Sequence, residues 1–212
     1  MKSSKFNLFG HCAIVLALVF SSFALANTGS ASGIADPYGK IEHITADLLQ
    51  IIGDHQQGYP DNQGDYFNEL TVLLNSTVDF KFISRSVMGR FAKQATPEQR
   101  NLFIEKFRRG LVETYGRGLI NYGNQKIHLV DRKSLQDGQR RLTVKQEIRS
   151  EGDIFPLHYS MARKKTGEWM VINVVINGIN LGKTFRSQFA QAAQKSGGDL
   201  DTVIAEWATE TD

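Results

Sequence analysis

The residues best able to do chemistry in this chain are few and scattered. Past residue 26 the histidines are His43, His55, His128 and His158, and none is spaced like a zinc-binding pair. Helical zinc pairs stand four residues apart around a catalytic glutamate, so these four read as separate surface side chains. The sequence holds no phosphate-cradling glycine loop, no GxSxG nucleophile elbow, no HExxH and no CxxC. Acid–base catalysis requires a carboxylate pointing into an enclosed site. The apolar faces that could line such a site carry Leu142, Val144, Gln146, Ile148, Leu157, Tyr159 and Met161, with no Asp or Glu among them. Asn173 is the polar interruption of the last strand, and an amide cannot serve as a base. The sequence therefore offers an apolar interior with few polar groups. Such an interior suits an apolar ligand, or is simply core.

These faces must be positioned by regular elements, and the order of the elements is readable. Asp36-Pro37 reads as an N-cap followed by a first-turn proline. Ile41, Ile44, Leu48, Ile51 and Ile52 follow at helical spacing, and Gly53 is expected to stop that helix. A loop over Gly58 to Gly64 leads to a second helix with Tyr66, Phe67, Leu70, Leu73 and Leu74. Asp79 caps a third, which carries Phe80, Ile83 and Val87 on one face and ends at Gly89. Thr96-Pro97-Glu98-Gln99 is a capping box, the clearest helix start in the chain. Phe103, Phe107, Leu111, Tyr115 and Leu119 then recur every fourth residue. Gly110, Gly116 and Gly118 interrupt them, which points to close packing, a bend or open space.

After Gly123 the period changes from 3.6 to 2. Four strands follow, around Ile127–Leu129, Leu142–Ile148, Leu157–Met161 and Trp169–Ile176, with turns at Asp137-Gly138, at 151–153 and at Lys165-Thr166-Gly167. The fourth is apolar on nearly both faces and should be central. Two helices close the chain, near Lys183 to Gln194 and from Asp199 to about Ala208. The expected fold class is α+β: N-terminal helices, a curved four-stranded antiparallel sheet and C-terminal helices enclosing an apolar cavity, an NTF2-like sheet with a helical subdomain.

The N-terminus is of another kind. Lys2 and Lys5 precede an apolar run that closes on Ala24-Leu25-Ala26, the small-x-small pattern cut by signal peptidase. Residues 1–26 are read as a signal peptide, 27–35 as a disordered leader and 36–209 as one α+β domain. The single cysteine, Cys12, falls inside the signal. The mature chain of 186 residues is then cysteine-free and must be held by its core alone. Losing Lys2 and Lys5 lowers the net charge from +3 to +1, with 23 basic against 22 acidic side chains. That is not the strong positive field of a nucleic-acid binder.

The longer strings carry a family likeness. Val78-Asp79-Phe80, Arg85-Ser86-Val87-Met88-Gly89-Arg90-Phe91 and Ala95-Thr96-Pro97-Glu98-Gln99-Arg100 come in order. Phe103, Phe107, Leu111, Thr114-Tyr115 and Tyr122 continue the series, and Gly167-Glu168-Trp169, Asn177-Gly178-Ile179-Asn180 and Phe185-Arg186-Ser187-Gln188-Phe189 complete it. Together they resemble the MlaC family of periplasmic phospholipid-binding proteins, also called toluene-tolerance auxiliary proteins, from about Tyr38 to Trp207. The chain departs from the family pattern at Asn173, where an aspartate is expected, and at Asn177–Asn180, where Glu-Gly-x-Ser is expected. It also has Ala92-Lys93 where a tryptophan is expected.

The resemblance implies a periplasmic carrier, not an enzyme, and a monomer that binds phospholipid as cargo and uses no cofactor, metal or nucleic acid. Its implied partners are an inner-membrane ABC transporter with an MCE-domain subunit and an outer-membrane lipoprotein–porin complex; moving lipid between them maintains outer-membrane lipid asymmetry. A carrier has a physical reason to exist. Each CH₂ withdrawn from water contributes about 0.8 kcal/mol, so a chain of roughly 15 opposes release into water by about 12 kcal/mol. The expected lipid lining is Phe103, Phe107, Leu111, Tyr115, Leu119, Leu142, Val144, Leu157, Tyr159 and Met161, each of which would look the same in sequence as ordinary core. Arg90 and Arg117 are the candidates for headgroup phosphate or an acidic partner surface. Two other readings remain: an enzyme on a cone-shaped NTF2-like fold, and a periplasmic adaptor with a solid core and no cargo.

Overall fold

The computed structural model of the chain describes residues 36–207 apart from 124 and 151. The signal-peptide and leader readings lie outside the described residues. Within them the fold is α+β, as expected. Helices α1 (Pro37–His55), α2 (Gln63–Thr77) and α3 (Phe80–Met88) are followed by a short 3-10 helix, Gly89–Lys93, and by the long α4 (Pro97–Leu119). Strands β1 (Lys126–Val130), β2 (Arg141–Ser150), β3 (Asp153–Arg163), β4 (Trp169–Ile176) and β5 (Ile179–Asn180) come next. Helices α5 (Leu181–Lys195) and α6 (Leu200–Glu206) end the described chain.

Local chemistry explains most of these boundaries. The Asp36 carboxylate accepts from the amides of Tyr38 and Gly39 at 3.0 Å each. At α4 the capping box is complete: Gln99 N–H donates to Thr96 Oγ1 and Thr96 N–H donates to Gln99 Oε1. Gly53 does not stop α1, contrary to its reading in sequence. The helix runs on to His55 because its last turn is anchored: Ile52 is buried, and the Gln56 side-chain amide donates to the Ile120 and Tyr122 carbonyls at 2.8 and 2.7 Å. These contacts outweigh one internal glycine, a cost of about 1 kcal/mol.

The sheet is an antiparallel meander in the order β1-β2-β3-β4-β5. The fifth strand was not expected. It has two residues, too few to show a period, and is joined to β4 by Asn177-Gly178, both at positive φ, the conformation a two-residue hairpin requires. Leu142, Val144 and Gln146 stand opposite Met161, Tyr159 and Leu157, and these stand opposite Val171, Val174 and Ile176. Val171 and Val174 are three apart, an odd spacing on one face. A bulge between the Ser160 and Met161 pairings makes this possible by leaving Ile172 as the extra residue. The Val78 segment pairs beside the early part of β4, where Asp79 N–H donates to the Val171 carbonyl at 2.9 Å.

Three clusters form the core. Tyr38 and Ile41 of α1 pack on Val144, Met161, Trp169 and Val171 of the sheet. Ile52, Tyr66, Leu70, Val112 and Ile120 join α1, α2 and α4. There α2 and α4 approach closely enough that a Cβ on Gly116 would lie 3.0 Å from Leu70 Cδ1 and Phe67 Cε1. The Tyr66 hydroxyl donates to the Gly116 carbonyl at 3.0 Å. The third cluster joins α3, α4, α5 and α6 through Phe91, Phe103, Phe107 and Phe189.

Burial, with Tyr59 beside it, pushes the Tyr66 phenol up to about 12. A raised phenol stabilises the fold in its neutral form. That contribution is complete below pH 10 and is lost as pH rises toward 12. Tyr66→Phe should flatten the decline in unfolding free energy between pH 10 and 12, measured by urea titration at each pH, and should cost about 1 kcal/mol at neutral pH through the lost hydrogen bond.

Candidate functional site

The site grows from the bulge. At the bulge in β4, Ile172 and Asn173 come beside the start of α5 and beside α3. The result is a cleft of about 490 Å³, within the range of about 300–1,000 Å³ usual for small-molecule sites. Its apolar lining is Phe82, Ile83 and Val87 from α3, with Leu142, Met161 and Ile172 from the sheet. Ser86, Thr143, Ser160, Asn173 and Asn180 add neutral polar groups. Arg141, Lys183 and Arg186 add three cations, and no residue lining the cleft is acidic.

Two asparagines fix the start of α5 at this cleft. Asn180 Oδ1 accepts from Lys183 N–H at 3.1 Å as the N-cap, and Asn173 Oδ1 accepts from Gly182 N–H at 3.0 Å. Both residues are departures from the family pattern noted in the sequence, and both are used here as helix-end acceptors. Gly182 is held to this position by space: a Cβ there would stand 2.5 Å from Asn173 Oδ1. Gly182→Ala should therefore expel the Asn173 side chain and cost about 1–2 kcal/mol, read from the urea midpoint. Arg186 lies with its guanidinium against Gly89 at the end of α3, so it spans the two helices that flank the cleft.

The residues singled out in the sequence fall in several places. Leu142 and Met161 line the cleft. Val144, Leu157 and Tyr159 continue the same sheet face beneath α1. There the Tyr159 hydroxyl donates to Gln146 Oε1 at 3.1 Å, Gln146 Nε2 donates to Thr45 Oγ1 at 3.0 Å, and Thr45 Oγ1 donates to the Ile41 carbonyl at 2.8 Å. This chain satisfies the buried polar groups of the interface, and burial pushes the Tyr159 phenol up. Phe103 and Phe107 lie in the helical cluster with Phe189 and Trp207 and do not line the cleft; Leu111 packs against that cluster. Leu119 packs on the α1–α2–α4 cluster, and Tyr115 is 41% exposed. Arg90 is exposed, with its guanidinium 4.9 Å over the Phe91 ring, and Arg117 is exposed on the last turn of α4.

Two features escaped the sequence. Arg141, Lys183 and Arg186 gather at one cleft only through the β4–β5–α5 turn. His55, expected on the surface, is buried: Nδ1 accepts from Asn62 Nδ2 at 3.0 Å and Nε2 lies 3.2 Å from Glu69 Oε1. It is a structural latch between α1 and α2. Among the described residues no group of three or more His, Cys, Asp or Glu side chains could hold a metal ion, and no helix is long and apolar enough to cross a membrane.

Comparison with known proteins agrees with this architecture. The sequence model of the MlaC protein family matches residues 42–209. A toluene tolerance protein, ttg2D, of Pseudomonas putida is 38% identical over 175 residues, covering 82% of this chain and 80% of that protein. The intermembrane phospholipid transport system binding protein MlaC of Haemophilus influenzae is 26% identical over 196 residues, covering 90% of this chain and 88% of its own. Among solved structures, a phospholipid-binding protein from Ralstonia solanacearum in complex with a phospholipid superposes with a TM-score of 0.67 at 28% identity. That match covers 82% of this chain and 99% of the other.

Proposed function

The chain belongs to the MlaC family, and from that premise we propose that it is a carrier which takes up phospholipid in the cleft between α3, α5 and the sheet. The observation that carries this reading is the composition of the cleft: an apolar floor, three cations and no acidic lining residue. Acyl chains leave water for the floor formed by Ile83, Val87, Leu142, Met161 and Ile172. The phosphate stays near Arg141, Lys183 and Arg186, where charge-assisted hydrogen bonds are about twice as strong as neutral ones. An anionic amphiphile satisfies both halves of the site, whereas a neutral hydrocarbon leaves the cations unused. The relative named for phospholipid transport, and the neighbour holding a phospholipid, support the same choice of ligand.

The carrier reading also covers where the lipid goes. We place the protein in the periplasm, exchanging lipid with an inner-membrane ABC transporter through its MCE-domain subunit and with an outer-membrane lipoprotein–porin complex, so that lipid asymmetry of the outer membrane is maintained. No reaction is needed for that task, and the cleft presents no carboxylate to act as a general base.

Native mass spectrometry of the purified protein tests the proposal. The expected spectrum shows protein with one phospholipid mass added, and the lipid should pass to acceptor vesicles that lack it. Protein without lipid from every preparation, together with no transfer between vesicles, would replace the carrier by the cargo-free adaptor.

A further inference from the structure

Helix α3 has a second face. Lys81, Ser84, Arg85 and Met88 form a stripe at helical spacing, turned away from the lipid cleft. With Pro97, Arg100, Asn101 and Ile104 at the start of α4 they line a separate cleft of about 460 Å³. None of its lining residues is acidic. Arg100 is already positioned, since its Nη1 donates to the Ala92 carbonyl at 2.9 Å, while Lys81 and Arg85 are exposed. Ser84 lies beneath these side chains and is only 1% exposed. Three cations lining one cleft with no acid among its lining residues are the feature that calls for an anion.

We propose that this α3–α4 cleft is a second anion site, which binds the phosphate of a glycerophosphate-type group through Lys81, Arg85 and Arg100, with Asn101 supplying neutral hydrogen bonds. Two like-signed guanidinium groups and an ammonium repel one another when empty, and a phosphate oxyanion relieves that repulsion while offering several acceptors at once. The volume exceeds that of a bare ion, and Met88 and Ile104 provide an apolar floor for the glycerol carbons. The group can arrive as the headgroup of a lipid still in a membrane, or as a free phosphate ester. The site does not depend on the carrier reading, because Ile83 and Val87, which face the lipid cleft, lie on the other side of the helix.

The test uses the whole mature protein and two probes: glycerol 3-phosphate, followed by calorimetry and amide chemical shifts, and vesicles of phosphatidylglycerol against vesicles of phosphatidylcholine. The double variant Lys81→Gln/Arg85→Gln should weaken binding at least tenfold. A charge-matched control, Lys165→Gln/Lys195→Gln, should weaken it less than twofold. Asn101→Ala should also weaken binding while preserving the fold, and its co-purified lipid should be unchanged. Binding of glycerol 3-phosphate that the double variant loses supports the site with a free ester as a sufficient ligand. Binding to phosphatidylglycerol vesicles alone, lost in the double variant and kept in the control, supports it with a membrane headgroup as the ligand. No binding of either probe, or equal loss in the control, overturns it. Absence of co-purified lipid in the wild type would bear on the carrier reading and not on this one.

Discussion

Leu142→Lys is expected to reduce the phospholipid held per folded molecule by at least tenfold, a loss of about 1.4 kcal/mol or more in binding. Leu142 is half-buried on the cleft floor, opposite Met161 and beside Thr143. A lysine there keeps a methylene stem over the floor but brings an ammonium among the acyl chains, where a charge without a partner is costly. The stability cost should be about 1–2 kcal/mol, well below what unfolding requires. Native mass spectrometry and phosphorus content, both normalised to folded protein by circular dichroism, give the result. Unchanged lipid content would remove Leu142 from the lining and move the cargo elsewhere.

The second large effect separates lining from core. Phe103→Ala should lower the unfolding free energy by about 3–5 kcal/mol, as read from urea denaturation, with lipid content per folded molecule unchanged. Phe103 is fully buried and touches three other rings: Phe107 at 5.6 Å, Phe189 at 4.9 Å and Trp207 at 5.4 Å between centroids. Truncating it empties the centre of the α4–α5–α6 cluster. If lipid is lost in proportion while stability holds, the tails reach into the helical cluster and the cargo space is larger than the α3–α5 cleft.

Both experiments bear on what sequence can reveal. Helix ends were legible because caps are local: Asp36, Asp79, Thr96 and Asp199 each use a side-chain oxygen on an amide two or three residues ahead. Three of the strands were legible from alternation, and β4 from its continuous apolar run. The cleft lining was legible only in part, at Leu142 and Met161, because periodicity reports burial and not the identity of the neighbour. Phe103, Phe107, Leu111 and Tyr115 look like one stripe. Yet each step of four residues advances about 40° beyond a full turn at 3.6 residues per turn. Three steps carry Tyr115 about 120° around the helix from Phe103, and it emerges exposed. The cations of the cleft are separated by more than 40 residues in sequence, Arg141 from Lys183 and Arg186. Only the folding of β4, β5 and α5 brings them to one place. Gly53 and His55 were misread for the same reason, since the contacts that decide them come from Asn62, Glu69, Ile120 and Tyr122, on other segments.

The extra residue in β4 has an evolutionary corollary. On a regular strand, losing one residue inverts the two faces beyond it and ruins the fold. Here the ladder already skips Ile172: Met161 pairs with Val171 and Ser160 with Asn173. A chain lacking Ile172 would keep every one of these pairs and simply straighten. What it would lose is the bulged residue, Ile172, which lines the cleft. Loss of a single codon would thus alter one wall of the cleft while leaving the pairing of the sheet intact, which makes position 172 a place where descent can reshape the cleft without dismantling the protein.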